Sequence, residues 1–393
     1  MLVNLWYVAE WSKNVKNDPV KVQILGQKLV LFRDSEGKIA CLADICLHRG
    51  GSLGNGWCKD GNVACPYHGW EYNTEGECVH IPSEGPEAKI SKRFKVDRYD
   101  AEERYGMIWV FMGDLPEEER FPIPPFPEYD QKEYWREVTT EYTWKAEASR
   151  VVENGIDLAH ASFVHPTFGY QDTAGDNSID HVEINEWWGT STNTNYPPQL
   201  KGDLGFRRFI RKDKQPTRTH PTWYLPGMIV RMQIDLREGW TIIMFDANTP
   251  IDEHTTRTFA IQLRSFMKWP MFDKGSKKRL EKILHEDAAI VEESQPYYLP
   301  ETLANELSVG DDKFMNSFRK ARRILIEEKG WQIDLKKRDT EKGRTVMTIP
   351  SPARKKAEAG GIKWVFEKMP TVGPVSNKKS ENRMSQNSSN NSA

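Results

Sequence analysis

Short apolar runs broken by turn residues dominate the first third of the chain. Residues 28–34 and 38–44 are two β-rich runs separated by Ser35-Glu36-Gly37, which predicts a hairpin. Residues 106–112 read Gly-Met-Ile-Trp-Val-Phe-Met, a strand-length segment far short of the roughly 20 apolar residues a membrane span needs. Gly113 to Glu119 and then Pro122, Pro124, Pro125 and Pro127 follow. Proline cannot donate to a sheet ladder, so this stretch predicts an irregular linker. Helical periodicity covers 145–164, where Val152, Ile156, His160 and Phe163 share one face. Strand patterns follow at 180–188, 228–236, 240–247 and 255–266, and Arg237-Glu238-Gly239 turns one into the next, as in an antiparallel meander. A second helix is predicted over 276–295, with Leu280, Ile283, Leu284, Asp287 and Val291 as its apolar stripe. Strands and helices are grouped, not strictly alternated, which predicts an α+β fold.

At 393 residues the chain suggests two domains, each long enough to bury its own core. The boundaries read as 1–118, 119–370 and a tail at 371–393; from Ser376 onward the tail is rich in Ser and Asn, which predicts disorder. A net charge of −2 implies neither nucleic acid nor an anionic surface as partner. The first residues show no basic segment followed by an apolar core, and five cysteines are too few for a disulfide scaffold, so a cytoplasmic location is expected.

Cys46 and His48, then Cys65 and His68, form a C-x-H and a C-x-x-H separated by sixteen residues. Two thiolates on one iron and two imidazoles on the other are the ligand set of a Rieske [2Fe-2S] cluster. A Cys2His2 zinc site is the rival, although zinc fingers usually place both cysteines in one loop and both histidines in the other. Cys41, Cys58 and Cys78 are left as packing residues. The flanking residues, Cys46-Leu47-His48-Arg49-Gly50 and Cys65-Pro66-Tyr67-His68-Gly69-Trp70, resemble the two cluster loops of Rieske proteins. Respiratory Rieske proteins brace these loops with an extra disulfide. Gly51 and Tyr67 stand at those positions, and Trp70 replaces a serine that bonds cluster sulfur, so the likeness is to the lower-potential centres of oxygenases.

A second set of ligand-type residues lies downstream. His160 falls on the core-facing stripe of the first helix, with Asp157 one turn before it at the edge. In a continuous helix His165 would point roughly 140° away from His160. Pro166 biases His165 out of the helical region, which predicts that the helix ends there and lets both imidazoles converge. Two hydrogen-bonded core histidines are the plainer alternative. Asp287, central in the later apolar stripe, shifts the balance, because an unpaired buried carboxylate demands an ion or strong donor. Two histidines and a carboxylate leave one face of an iron open to oxygen and substrate.

The Rieske loops, the D-x-x-H-x-x-x-x-H of Asp157, His160 and His165, and the later Asp287 together resemble the Rieske-type non-haem iron oxygenases over most of residues 1–340. The resemblance implies a β-rich Rieske domain beside a catalytic domain of antiparallel sheet and helices, of helix-grip type. It implies a mononuclear Fe(II) held by His160, His165 and Asp287, and an Asp157 that bridges His160 to His68 of the partner subunit in a homotrimer. It also implies that O2 and two electrons are used per turnover. No G-x-G-x-x-G turn is present, so the electrons are expected from NAD(P)H through a ferredoxin and/or flavin reductase.

The chain length is nearer that of oxygenases that hydroxylate or remove O- and N-methyl groups than that of ring dihydroxylating large subunits. The expected substrate is a small hydrophobic, aromatic molecule, with Phe168, Tyr170, Trp223, Tyr224, Met228, Met232 and Met244 as candidate walls. Trp70-Glu71-Tyr72-Asn73 also resembles chlorophyll-pathway oxygenases, which generally carry carboxy-terminal membrane segments not readable here. A pure electron-transfer protein would leave Asp157, His160, His165 and Asp287 without purpose, and a catalytically silent relative would have lost them.

Overall fold

The computed structural model describes residues 1–85, 87–165, 178–195, 217–300 and 306–375. Pro166, Phe168, Tyr170 and the tail from 376 lie outside these residues.

The first part of the chain is three small antiparallel sheets. Gln27–Arg33 and Ile39–Ala43 pair as the predicted hairpin, with Gly37 at φ +82° in its turn, and are flanked by Val20–Ile24 and Arg98–Tyr99. Trp57–Lys59, Asn62–Ala64, Glu71–Tyr72 and Cys78–His80 form a second sheet, which carries the second cysteine loop between its two middle strands. Met107–Met112 is completely buried and is the middle strand of the third, between Leu5–Trp11 and Ala101–Arg104. Beyond it the proline-rich stretch forms only short 3-10 turns at Glu117–Glu119 and Pro127–Asp130, as missing donors dictate.

A seven-stranded antiparallel sheet follows. Its order is Arg136–Trp144, Thr256–Arg264, Trp240–Pro250, Ile229–Arg237, Thr217–Tyr224, Trp188–Asn195 and Ser178–Ile184. The meander from Ile229 onward follows the sequence reading, with Gly239 at φ +73° in the turn. The strands at Arg136, Trp188 and Thr217 and the helix Lys313–Glu327 were not read from the sequence. Polar runs such as Thr-Ser-Thr-Asn-Thr hide their alternation from a hydrophobicity count.

On one face of this sheet, Ile243, Phe245, Ala247, Phe259 and Ile261 pack with Trp109 and Phe126, which joins the sheet to the first part of the chain. Burying one such side chain contributes roughly 1.5–3 kcal/mol. The helices Ala148–Ile156 and Asp273–Val291 lie on the opposite face, where Val151, Leu280, Leu284 and Ala288 cluster with Ala260 and Trp144.

The segment after Gly330 returns to the first part of the chain. Buried Asp97 accepts from Thr348, Ser351 and the indole of Trp364 and lies 3.6 Å from buried Arg354, while the Tyr99 hydroxyl donates to the Ile349 carbonyl. Phe366 packs against the core that surrounds the two cysteine loops.

Candidate metal centres

The two cysteine loops share one backbone design. Gly50 N–H donates to the Cys46 carbonyl and Cys46 N–H to the Gly51 carbonyl; Gly69 N–H donates to Cys65 and Cys65 N–H to Trp70. Gly50 and Gly69 both sit at positive φ, +69° and +70°, a conformation that closes each loop and disfavours side chains. At Gly51 a methyl would lie 3.1 Å from the Cys65 Sγ, so this position is kept bare.

Both thiols are sealed from solvent, at 2% and 1% exposure, whereas His48 is half-buried and His68 exposed. The two imidazole centroids are 4.3 Å apart, and Trp70 stacks on His48 at 4.8 Å with planes 7° apart. Burial pushes the Cys46 thiol up, with Cys65 adding to the push. The buried His48 Nδ1 has no hydrogen-bond partner. Two thiols sealed side by side and an orphaned imidazole nitrogen are what a [2Fe-2S] group satisfies, so these residues fit it.

Sequence reasoning missed Tyr72. Its hydroxyl accepts from Leu47 N–H at 3.1 Å, which leaves its own proton to donate to Cys46 Sγ at 3.3 Å. A hydrogen bond to a cluster sulfur favours the reduced state. Tyr72→Phe is expected to lower the reduction potential by about 50 mV, the one-electron equivalent of one hydrogen bond. Protein-film voltammetry checks this, and an unmoved potential would remove Tyr72 from the account.

The second site begins where the first helix stops. The continuous helix expected over 145–164 is instead two pieces, Ala148–Ile156 and Ala161–Val164, broken at Asp157, which is extended at φ −75°, ψ 124°. Asp157 Oδ1 accepts from Ala159 N–H at 2.8 Å, an Asx turn that competes with helix continuation. The break turns Phe163 outward, at 57% exposure, and not onto the apolar face expected for it. His165 is extended at φ −108°, ψ 98°, consistent with the bias that a following proline imposes. Asp287 lies on the buried stripe of Asp273–Val291 beside Leu284, Ala288 and Val291.

The structure brings His160, His165 and Asp287 together, with one ligand atom of each within 4.8 Å of the others. His160 Nε2 is 3.3 Å and His165 Nε2 3.1 Å from the same atom, Asp287 Oδ1. With metal–ligand bonds of about 2.1 Å, ligands at right angles lie about 3.0 Å apart. Burial alone would pull the His160 imidazole down, but Asp157 and Asp287 outweigh it and hold it up at about 9; burial raises Asp287, and the two histidines more than reverse that. His160 Nδ1 and Asp287 Oδ1 nevertheless lack a hydrogen bond of good geometry. A cation in place of the missing protons satisfies the set, so these residues fit a mononuclear iron.

Each histidine also turns its other nitrogen to a carboxylate. His160 Nδ1 lies 3.6 Å from Asp157 Oδ2, and His165 Nδ1 lies 2.9 Å from Glu286 Oε2. Such partners fix the imidazole tautomer and orientation. The role of Glu286 was missed in the sequence, where its only signal is adjacency to Asp287. Glu286→Gln is expected to weaken iron binding about 10- to 100-fold while leaving the cluster spectrum intact; chelator competition measures it, and unchanged affinity would mean that His165 is oriented by other groups.

Of the expected pocket walls, Trp223 and Met228 are sealed in the main core and Tyr224 in the core of the opposite sheet face, whereas Met232 and Met244 are cross-strand partners on the helix side. Cys41 and Cys78 are buried packing residues and Cys58 is half-buried.

Residues 5–99 match the Rieske [2Fe-2S] domain family and residues 144–328 the vanillate O-demethylase oxygenase C-terminal domain family. Methylxanthine N3-demethylase NdmB of Pseudomonas putida is 30% identical over 311 residues, covering 77% of this chain and 81% of that protein. Methylxanthine N1-demethylase NdmA of the same organism is 27% identical over 322 residues, covering 79% and 83%. The solved structure of NdmB superposes with a TM-score of 0.68 at 26% identity, over 82% of this chain and 90% of that one.

Proposed function

Because this chain belongs to the Rieske non-haem iron oxygenases, we propose that it hydroxylates, or removes an O- or N-methyl group from, a small hydrophobic, aromatic molecule. It is an oxidoreductase that carries a [2Fe-2S] cluster and a mononuclear iron. The observation that carries the reading is the convergence of His160 and His165 on Asp287 Oδ1. The N-demethylase relatives support loss of a methyl group over ring dihydroxylation.

In this reading Cys46, His48, Cys65 and His68 hold the cluster, and His160, His165 and Asp287 hold iron. Iron held by three residues supplies open positions at which O2 can be reduced beside substrate. The chain's own residues supply the setting. Asp157 and Glu286 hold protons at His160 Nδ1 and His165 Nδ1, so that each Nε2 lone pair faces Asp287. His165 and Asp287 are buried and His160 half-buried between the sheet and the two helices. Residues 1–118 serve electron transfer and 119–370 catalysis, with the segment after Gly330 packed back on the former.

One cluster carries one electron at a time, so a turnover that needs two requires an electron-transfer partner, as is typical of the family. A ferredoxin and/or flavin reductase fed by NAD(P)H fills that place. Exposed His68 suits electron delivery between subunits, so the chain works as a homotrimer in which Asp157 meets His68 of the partner subunit. No helix among the described residues is long and apolar enough to cross a membrane, and the cytoplasm is the compartment we assign.

The test is anaerobic purification with iron analysis and substrate-stimulated O2 uptake driven by a generic reductase. About three irons per chain are expected, two in the cluster and one at the triad. Labelled O2 should leave one atom in the product or in released formaldehyde. A cis-diol that carries both atoms would overturn the demethylation reading.

A further inference from the structure

The sheet beneath the three ligands carries a carboxylate that the mechanism above does not use. Asp246 is on the strand Trp240–Pro250, paired with Val230 on one side and Ala260 on the other. The first helix comes close to the sheet at Val230: a methyl on Gly155 would lie 3.0 Å from its Cγ2. Ala260 packs in the cluster that contains Val151 of the same helix and Leu284 and Ala288 of the helix bearing Asp287. Asp246 therefore lies under the junction of the two helices that hold the triad.

Two features separate it from a structural carboxylate. Buried Asp97, Glu10, Glu147 and Glu153 each face an arginine. Asp246 Oδ1 is sealed from solvent and has no hydrogen-bond partner, and burial, then the nearby Asp287 charge, push this carboxyl up to about 7. Second, along the same strand Ile243, Phe245 and Ala247 are sealed while Ile242, Met244 and Asp246 are only half-buried. The helix side of this strand is thus less tightly packed than the other, an apolar floor that ends in one carboxylate.

We propose that Asp246 is the polar anchor of the substrate site, accepting a hydrogen bond from an N–H, O–H or ammonium group, so that the enzyme takes aromatic substrates that donate hydrogen bonds and rejects free carboxylates. A floor of Ile242 and Met244 suits a flat apolar body, and a single orphaned acceptor orients it. A carboxylate placed against Asp246 Oδ1 would set two acceptors face to face with no proton to share, whereas a donor satisfies the orphaned oxygen. This inference rests on the oxygenase reading only in placing the substrate beside the triad.

The test is calorimetric binding of benzylamine, benzyl alcohol and benzoate to the purified holoprotein, Asp246→Asn and Asp246→Ala, with iron content and the cluster spectrum recorded for each. Wild type should bind benzylamine at least about 10-fold more tightly than benzoate, with benzyl alcohol between, and either variant should reduce that ratio to within about threefold. Equal binding of the probes to wild type, a preference for benzoate, or no binding of any probe at millimolar concentration overturns the proposal without any variant. An unchanged ratio in Asp246→Asn with iron retained overturns it equally. Failure of the triad assignment would appear instead as a missing third iron, whatever the probe ratio.

Discussion

Asp287→Ala is expected to take the purified protein from about three irons per chain to about two and to lower substrate oxidation by on the order of 1000-fold. Asp287 is the only carboxylate among the three converging residues, and its Oδ1 is the atom that both Nε2 nitrogens face. Without it, two neutral imidazoles remain, with too few donors and no charge to offset that of the ion. The cluster should be untouched, because its four residues lie in the loops before and after Trp57–Lys59, in another part of the fold. Iron quantification with visible absorption distinguishes the two losses. A variant that kept its third iron and its turnover would sink the triad assignment.

Asp157→Ala is expected to separate metal binding from turnover. About three irons should remain and the reductase should still reduce the cluster, yet turnover should fall by roughly 100-fold or more. The residue has two structural attachments, Oδ1 in the turn that ends the helix and Oδ2 toward His160 Nδ1. Losing the turn costs about 1 kcal/mol, too little to unfold the chain. Asp157→Asn preserves an oxygen for the Ala159 N–H but removes the charge, so it distinguishes a folding defect from an electron-transfer defect. If both variants stall with a reduced cluster, the carboxylate is the bridge between centres. An Asp157→Ala protein that turns over with O2 and product in the normal ratio would eliminate that role.

Much of the candidate chemistry was legible because it lies in short local patterns. The cysteine loops are read from spacing and flanking residues alone, and His165 from the proline that follows it. Asp287 was legible for a different reason: it interrupts an apolar stripe, and a charge in that place demands a partner. What escaped was long-range. Tyr72 reaches Cys46 across 26 positions and Glu286 reaches His165 across 121, and neither has a periodic signature. The helix break at Asp157 was missed because Val152, Ile156 and His160 keep helical spacing through it; Gly155 and the aspartate that follows were the available signals. The strands at Trp188 and Thr217 escaped because their inward residues are polar, among them buried Ser191, Asn193 and Thr219.

The closure of Asp97 onto Thr348, Ser351 and Trp364 has a consequence for biogenesis. Phe366 helps to wall the core around the cysteine loops, and Ile349 receives the Tyr99 hydroxyl. A nascent chain still tethered at the ribosome through those residues has made every cluster ligand but not the wall that shelters them. The loops around Cys46 and Cys65 are therefore fully walled only after residues 348–366 have packed onto them.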